Sequence, residues 1–153
     1  MPRIGVISDT HGLLRPEALR ALAGADLIVH AGDIGGPEVL EALRTLAPLV
    51  AVRGNNDRGP WASALPETEV VEAGGRSLYV LHDVKELDLD PRAAGFDAVI
   101  AGHSHQPRID RRDGVLYLNP GSAGPRRFKL PIAVARLEVD AARLDAEIVQ
   151  LDV

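Results

Sequence analysis

Short apolar runs separated by turn residues set the pattern of this chain, and in its first half they alternate with segments of helical spacing. Ile4 to Ile7 reads as a buried strand, and Pro16 to Ala23 as a helix with Leu19 and Leu22 on its apolar face and Gly24 as its stop. Leu27 to His30 is the next strand. Pro37 opens a second helix carrying Val39, Leu40, Leu43 and Leu46, and Leu49 to Val52 is a third strand. This β-α-β-α-β order predicts a parallel sheet with right-handed crossovers. The second half is richer in strands. Glu69 to Glu72 and Leu78 to Leu81 flank Gly74-Gly75 as a hairpin, Ala98 to Ala101 and Val115 to Leu118 follow, and Ile132 to Val139 and Ile148 to Val153 close the chain as an antiparallel pair. With about nine strands and two or three helices, the fold class is α/β: a layered α/β sandwich of two mixed β-sheets flanked by helices.

At 153 residues the chain has the length of one domain, spanning 1–153, and its 46% hydrophobic and 25% charged residues describe an ordinary packed globule. There is no cysteine, which excludes disulfides, thiolate zinc sites and Fe–S clusters; any metal must sit on nitrogen and oxygen ligands. A net charge of -5 speaks against extended nucleic-acid binding through backbone phosphates. No apolar run reaches the ~18 residues of a membrane span, so no membrane partner is expected. The first residues do not read as a signal peptide, and the expected location is cytoplasmic.

Five of the strands end at, or within two residues of, Asp, His or Asn. Strand one runs into Asp9-Thr10-His11, strand two into Gly32-Asp33, strand three into Gly54-Asn55-Asn56-Asp57, the Leu78 strand into His82-Asp83, and the Val99 strand into Gly102-His103-Ser104-His105. In open α/β sheets ligands bind beyond the carboxyl ends of the strands, so these loops should converge at one edge. Singly, each reads as easily as a turn or a helix cap. His103 and His105, two apart on an extended segment, should point the same way. Taken together, four imidazoles, two carboxylates and an amide exceed the needs of one tetrahedral ion and suit two ions sharing a carboxylate. His30 is left over and is assigned to packing beneath the site.

In that order Asp9-x-His11, Gly32-Asp33, Gly54-Asn55, His82 and Gly102-His103-x-His105, followed by Asn119-Pro120-Gly121-Ser122 and Pro125-Arg126, resemble the calcineurin-like metallophosphoesterases, and among them the short bacterial and archaeal phosphodiesterases. The resemblance implies that Asp9, His11 and His105 hold one divalent metal, that Asn55, His82 and His103 hold a second, and that Asp33 bridges them. It implies Mn2+ as the working choice, with Zn2+, Fe2+, Ni2+ or Co2+ as alternatives, and hydrolysis of a small phosphate ester by in-line attack of a hydroxide shared by the metals. Phosphodiester substrates are preferred. Two positions depart from the family pattern. Asn56 stands where protein phosphatases carry a histidine, and Asp83-Val84 stands where many of the short phosphodiesterases carry glycine and histidine. Asp83 reads either as a carboxylate orienting an imidazole or as a cap. Asn56 and Asp57 are the candidate catalytic side chains beyond the ligands, and Arg126 is the candidate substrate contact, its planar fork suiting phosphate. Small members of the family form homo-oligomers, which sets that expectation here. The alternative reading, a catalytically silent protein-binding scaffold of the same fold, would have lost ligands that this chain retains.

Overall fold

The computed structural model describes residues 2–153. Strands β1 (Arg3–Ile7), β2 (Leu27–His30) and β3 (Leu49–Ala51) are parallel, linked by helices α1 (Pro16–Leu22) and α2 (Pro37–Arg44). The first sheet is completed on the other side of β1 by β9 (Ala133–Val139) and β10 (Leu144–Gln150), both in antiparallel register, giving the order β10-β9-β1-β2-β3. The second sheet has the order β4-β5-β6-β8-β7, built from β4 (Thr68–Ala73), β5 (Arg76–Leu81), β6 (Ala98–Ile100), β7 (Arg108–Arg112) and β8 (Val115–Asn119). Within it β5, β6 and β8 are parallel, while β4 and β7 are antiparallel edges.

Period-2 alternation sorts the side chains into layers. Ile4 and Val6 of β1 face the second sheet, joining Val29, Val80, Ile100, Leu116, Leu118 and Leu137 in a core between the sheets. Ile7 faces the opposite way, with Ile28 and Val134, under Ala18 and Leu22 of α1 and Leu40 and Leu43 of α2. Gly5 lies between these, where a Cβ would stand 2.7 Å from Leu22 Cδ2, so the absent side chain is what lets α1 settle onto β1. The short helix α3 (Pro60–Ser63) brings Trp61 to the same helical layer, as packing.

Helices cover only the first sheet. The outer face of the second, Tyr79, Leu81 and Val99, is covered by Leu87, Leu89 and Phe96 from the β5–β6 crossover, whose one regular element is a 3-10 turn at Val84–Glu86. The last strand and one additional strand depart most from the sequence pattern. β10 begins at Leu144 because Leu144, Ala146 and Ile148 alternate onto the inter-sheet core, a longer period-2 stretch than the terminal apolar run. β7 has no apolar pattern at all: four of its five residues are charged, and its pairing with β8 follows from the Asp113-Gly114 turn, both residues at positive φ.

The close packing at Gly5 is checkable. Gly5→Ala should cost about 1–3 kcal/mol in urea denaturation. In a double-mutant cycle with Leu22→Ala, which opens the space, the second substitution should recover a measurable part of that loss.

Candidate metal centre

The parallel strands β1, β2, β3, β5 and β6 all end at the same edge of the two-sheet stack, and their last residues lead directly into the histidines and aspartates. The chain turns sharply there. Asp9, His11, Asp33, His103 and His105 all have φ between 47° and 70°, the left-handed region that non-glycine residues occupy at a cost. Among the described residues only Asp113 and Phe128 join them as non-glycine residues at positive φ. Concentration of this strain on one constellation marks a functional site, and nothing in the residue spacing announces it. It also corrects the expectation that His103 and His105 share a face. Both are off the extended conformation, and they part to separate groups.

Two sets of ligand-type atoms result, Asp9 with His11 and His105, and Asp33 with His82 and His103, the atoms of each set lying within 4.8 Å of one another. Asp33 Oδ2 is 3.3 Å from His82 Nε2 and 3.7 Å from His11 Nε2, so this carboxylate faces both sets. Asp9 Oδ1 is 3.4 Å from His105 Nε2, 3.8 Å from His11 Nε2 and 3.9 Å from His82 Nε2. The rings of His11 and His105 stack with centroids 5.4 Å apart, and those of His82 and His103 meet edge-on at 5.1 Å. Asn55 is exposed and lines, with His82 and His103, a cleft of about 630 Å³ that also includes Arg53, Tyr79, Asp83, Glu86 and Asp88. A second groove, about 570 Å³ between α1 and β9–β10, lies at the opposite end of β1 and holds none of these residues.

Buried polar atoms without partners are rare in native proteins, and each needs a cause. Three of the four such side-chain atoms among the described residues are Asp9 Oδ1, His11 Nε2 and His105 Nδ1. Asp9 Oδ1 and His11 Nε2 lie 3.8 Å apart, and an unpaired carboxylate oxygen beside an unpaired imidazole nitrogen fits a divalent transition-metal ion. These candidate ligands are braced by hydrogen bonds in the way metal-binding side chains are. His82 Nδ1 donates to the Ala31 carbonyl at 2.7 Å, which leaves Nε2 as the free lone pair; Asp9 Oδ2 accepts from Ser8 Oγ at 2.7 Å and from the His103 amide at 3.0 Å.

Three of the ligands follow a glycine, for a steric reason. A Cβ on Gly54 would collide with Asp33, one on Gly102 would stand 2.6 Å from Asp9 Oδ2, and one on Gly32 would stand 2.6 Å from His82 Nδ1. At Gly54 the need is thus for close approach rather than positive φ. Gly124, which no motif reading singled out, packs against the Asp9 and Thr10 backbone in the same way. Asn119 ends β8 and opens the Asn119-Pro120-Gly121-Ser122 motif. Its Nδ2 donates to the Gly102 carbonyl at 2.9 Å and to Ser104 Oγ at 3.0 Å, tying the His103 loop to β8.

The other candidates take supporting places. Asn56 donates to Asp33 twice, from its backbone amide (2.9 Å, to Oδ1) and from Nδ2 (3.0 Å, to Oδ2). Asp57 is buried and accepts from the amides of Ile34, Gly35 and Gly54, clamping the β2 and β3 loops together; its carboxylate has no imidazole partner. The Arg126 guanidinium donates to the nearby Leu130 carbonyl and to the Val153 carbonyl.

Electrostatics follow from this crowding. Burial alone would raise the Asp9 and Asp33 carboxyls, but the imidazoles and hydrogen-bond donors beside them outweigh it and hold both below the usual carboxylate range. Burial opposes charge on His82 too, yet Asp33 against its Nε2 raises it. His30 behaves oppositely. It is wholly buried, its Nδ1 accepts from the Gly32 amide (3.1 Å), and its Nε2 faces Thr10 Oγ1 (3.0 Å), whose own proton goes to the Ile34 carbonyl at 2.7 Å. Neutral imidazole satisfies every partner, and burial pushes the group down to about 4. His30 thus packs beneath the ligands, holding Thr10 between Asp9 and His11.

Comparison with known proteins agrees with this geometry. Residues 2–142 match the profile of the calcineurin-like phosphoesterase superfamily domain. A probable metallophosphoesterase of Methanothermobacter thermautotrophicus is 38% identical over 159 residues, covering 96% of this chain and 91% of that protein. A phosphodiesterase of Methanocaldococcus jannaschii is 28% identical over 138 residues, covering 78% and 82%. Among solved structures, Vps29 of Entamoeba histolytica complexed with zinc superposes with a TM-score of 0.74 at 25% identity, over 98% and 99% of the two chains.

Two outcomes test the site physically. In metal-free protein, His103→Gly should be more stable than His103→Ala by about 1 kcal/mol, because glycine accepts φ of 70° without the Cβ penalty; equal denaturation midpoints would remove the strain. The second concerns His30. The unfolded chain takes up this proton near pH 6.5 and the folded one only near 4, so falling pH favours unfolding across that window. His30→Gln should flatten the loss of stability between pH 6.5 and 4 by on the order of 3 kcal/mol relative to the parent, read by urea titrations at fixed pH.

Proposed function

Because the chain belongs to the calcineurin-like phosphoesterase superfamily, we propose that it is a metal-dependent phosphodiesterase acting on small phosphate esters. The observation that carries this reading is the pair of Asp/His sets with Asp33 facing both. In it Asp9, His11 and His105 hold one divalent cation, Asn55, His82 and His103 a second, and Asp33 is shared. Manganese is the working choice for a mixed imidazole, carboxylate and amide set, with zinc, iron, nickel or cobalt as competitors. The chemistry that two bound cations supply is polarisation of phosphoryl oxygens and acidification of water towards neutral pH.

The chain's own residues then decide which esters suit it. Asn56 fixes the Asp33 carboxylate through two hydrogen bonds and, being an amide, has no acidic proton to give a leaving group. Esters whose leaving oxygen is a weak base are favoured accordingly. The alcohol portion of the substrate lies in the cleft beside Asn55, His82 and His103. Arg53 in that cleft is paired with Glu67 at 2.7 Å, so it is not a free anion clamp. A scaffold reading has support in the likeness to Vps29, whereas the presence of all seven ligand-type residues in the sequence favours catalysis.

Chelator-stripped protein should hydrolyse bis-p-nitrophenyl phosphate faster than p-nitrophenyl phosphate once manganese, or one of the competing metals, is restored. Silence with every metal, in folded protein, would overturn the enzyme reading and favour the scaffold. Asp33→Ala should lose at least about 100-fold in kcat/KM along with most bound metal, while Asn56→Ala should lose about 10-fold with metal content retained.

A further inference from the structure

We infer that Asp83 is a positioning residue for the second cation, holding His103 in the one ring orientation that offers Nδ1 to it. This inference rests on the dinuclear reading above and adds to it a carboxylate outside the seven ligands.

His103 is the most exposed of the four candidate imidazoles, with a side-chain accessibility of 44% against 23% for His11, 6% for His82 and 3% for His105. Its backbone is left-handed, and the ring meets that of His82 edge-on at 5.1 Å. His82, by contrast, is locked by the Ala31 carbonyl at Nδ1. What flanks the His103 ring is one group at each nitrogen. Nδ1 is 3.3 Å from His82 Nε2, towards the ligand set, and Nε2 is 3.7 Å from Asp83 Oδ2, away from it. With the Nε2 proton directed to Asp83, the Nδ1 lone pair is left for the cation, and the carboxylate makes the imidazole a stronger donor.

Asp83 is itself well placed to do this. It directly follows His82, so the strand end that delivers one ligand also delivers the carboxylate behind another. Its second oxygen, Oδ1, accepts from the Lys85 amide at 3.0 Å and caps the turn at Val84–Glu86, which fixes the side chain. The two oxygens have separate duties, capping through Oδ1 and steering through Oδ2, and that separation makes the proposal testable.

Asparagine preserves the cap and removes the charge. Asp83→Asn should therefore keep the melting temperature of the metal-free protein, while binding of one of two Mn2+ or Zn2+ ions weakens about 10–100-fold in calorimetric titration. Asp83→Ala should show the same loss of affinity and, in addition, a lower melting temperature. Two tight sites of parental affinity in Asp83→Asn would overturn the inference and leave the dinuclear reading standing. Affinity that falls only in Asp83→Ala, in step with its melting temperature, would reduce Asp83 to a cap. A parent protein that binds fewer than two ions would overturn the dinuclear reading and this inference with it.

Discussion

A wholly buried carboxylate with one oxygen left unpaired among three imidazoles is the constraint around which this molecule is arranged. Asp9 is inaccessible to solvent, its Oδ2 is satisfied by Ser8 and by the His103 amide, and its Oδ1 faces His11, His82 and His105 without a hydrogen bond. An ion held in this way is unfavourable unless positive charge arrives to meet it. Asp33 against the His82 Nε2 raises that imidazole, so the site draws protons in the same direction. Divalent cations would supply positive charge more completely, and they compete with protons for the same nitrogens. The apolar layers pack between the sheets and beneath the helices, while these polar groups gather beyond the strand ends.

Backbone geometry is the means of that organisation. Four of the five strands that lead into the candidate ligands, β1, β2, β3 and β6, run into a left-handed or glycine corner at the edge of the sheet, whereas β5 delivers His82 directly. Long-range hydrogen bonds hold the corners in place. Asp57 fastens the loop after β2 to the loop after β3, Asn119 fastens the loop after β6 to β8, and Ser122 donates to the Asp9 carbonyl at 3.0 Å. These residues surround the ligands with polar bracing that costs the core nothing, because all of it lies beyond the strand ends.

Much of this was legible in the residues. The parallel strands, the Gly74-Gly75 hairpin and the convergence of Asp9, His11, Asp33, His82, His103 and His105 on one edge follow from periodicity and from where each strand stops. The parts that were not legible depend on what each residue meets, or on its own backbone angles, rather than on the spacing of apolar positions. β7 has no apolar face and exists because β8 offers it a partner across Asp113-Gly114, although that dipeptide was a usable hairpin signal. The divergence of His103 from His105 depends on positive φ, which spacing cannot report. Gly54 and Gly102 look like turn residues in isolation, whereas the structure uses them for room beside Asp33 and Asp9.

The charged edge strand β7 bears on how copies of the chain can meet. An outermost strand presents a row of unpaired amides and carbonyls, an open template for a neighbour. Here that template is guarded: β7 carries Arg108, Asp110, Arg111 and Arg112, β10 carries Asp145 and Glu147, β4 carries Glu69 and Glu72, and β3 is only three residues long. A second copy adding its strand to any of the three charged edges would have to strip water from rows of ionised side chains. Continuous sheets running from molecule to molecule are thereby disfavoured, and any homo-oligomer is directed to build its contact from faces and loops.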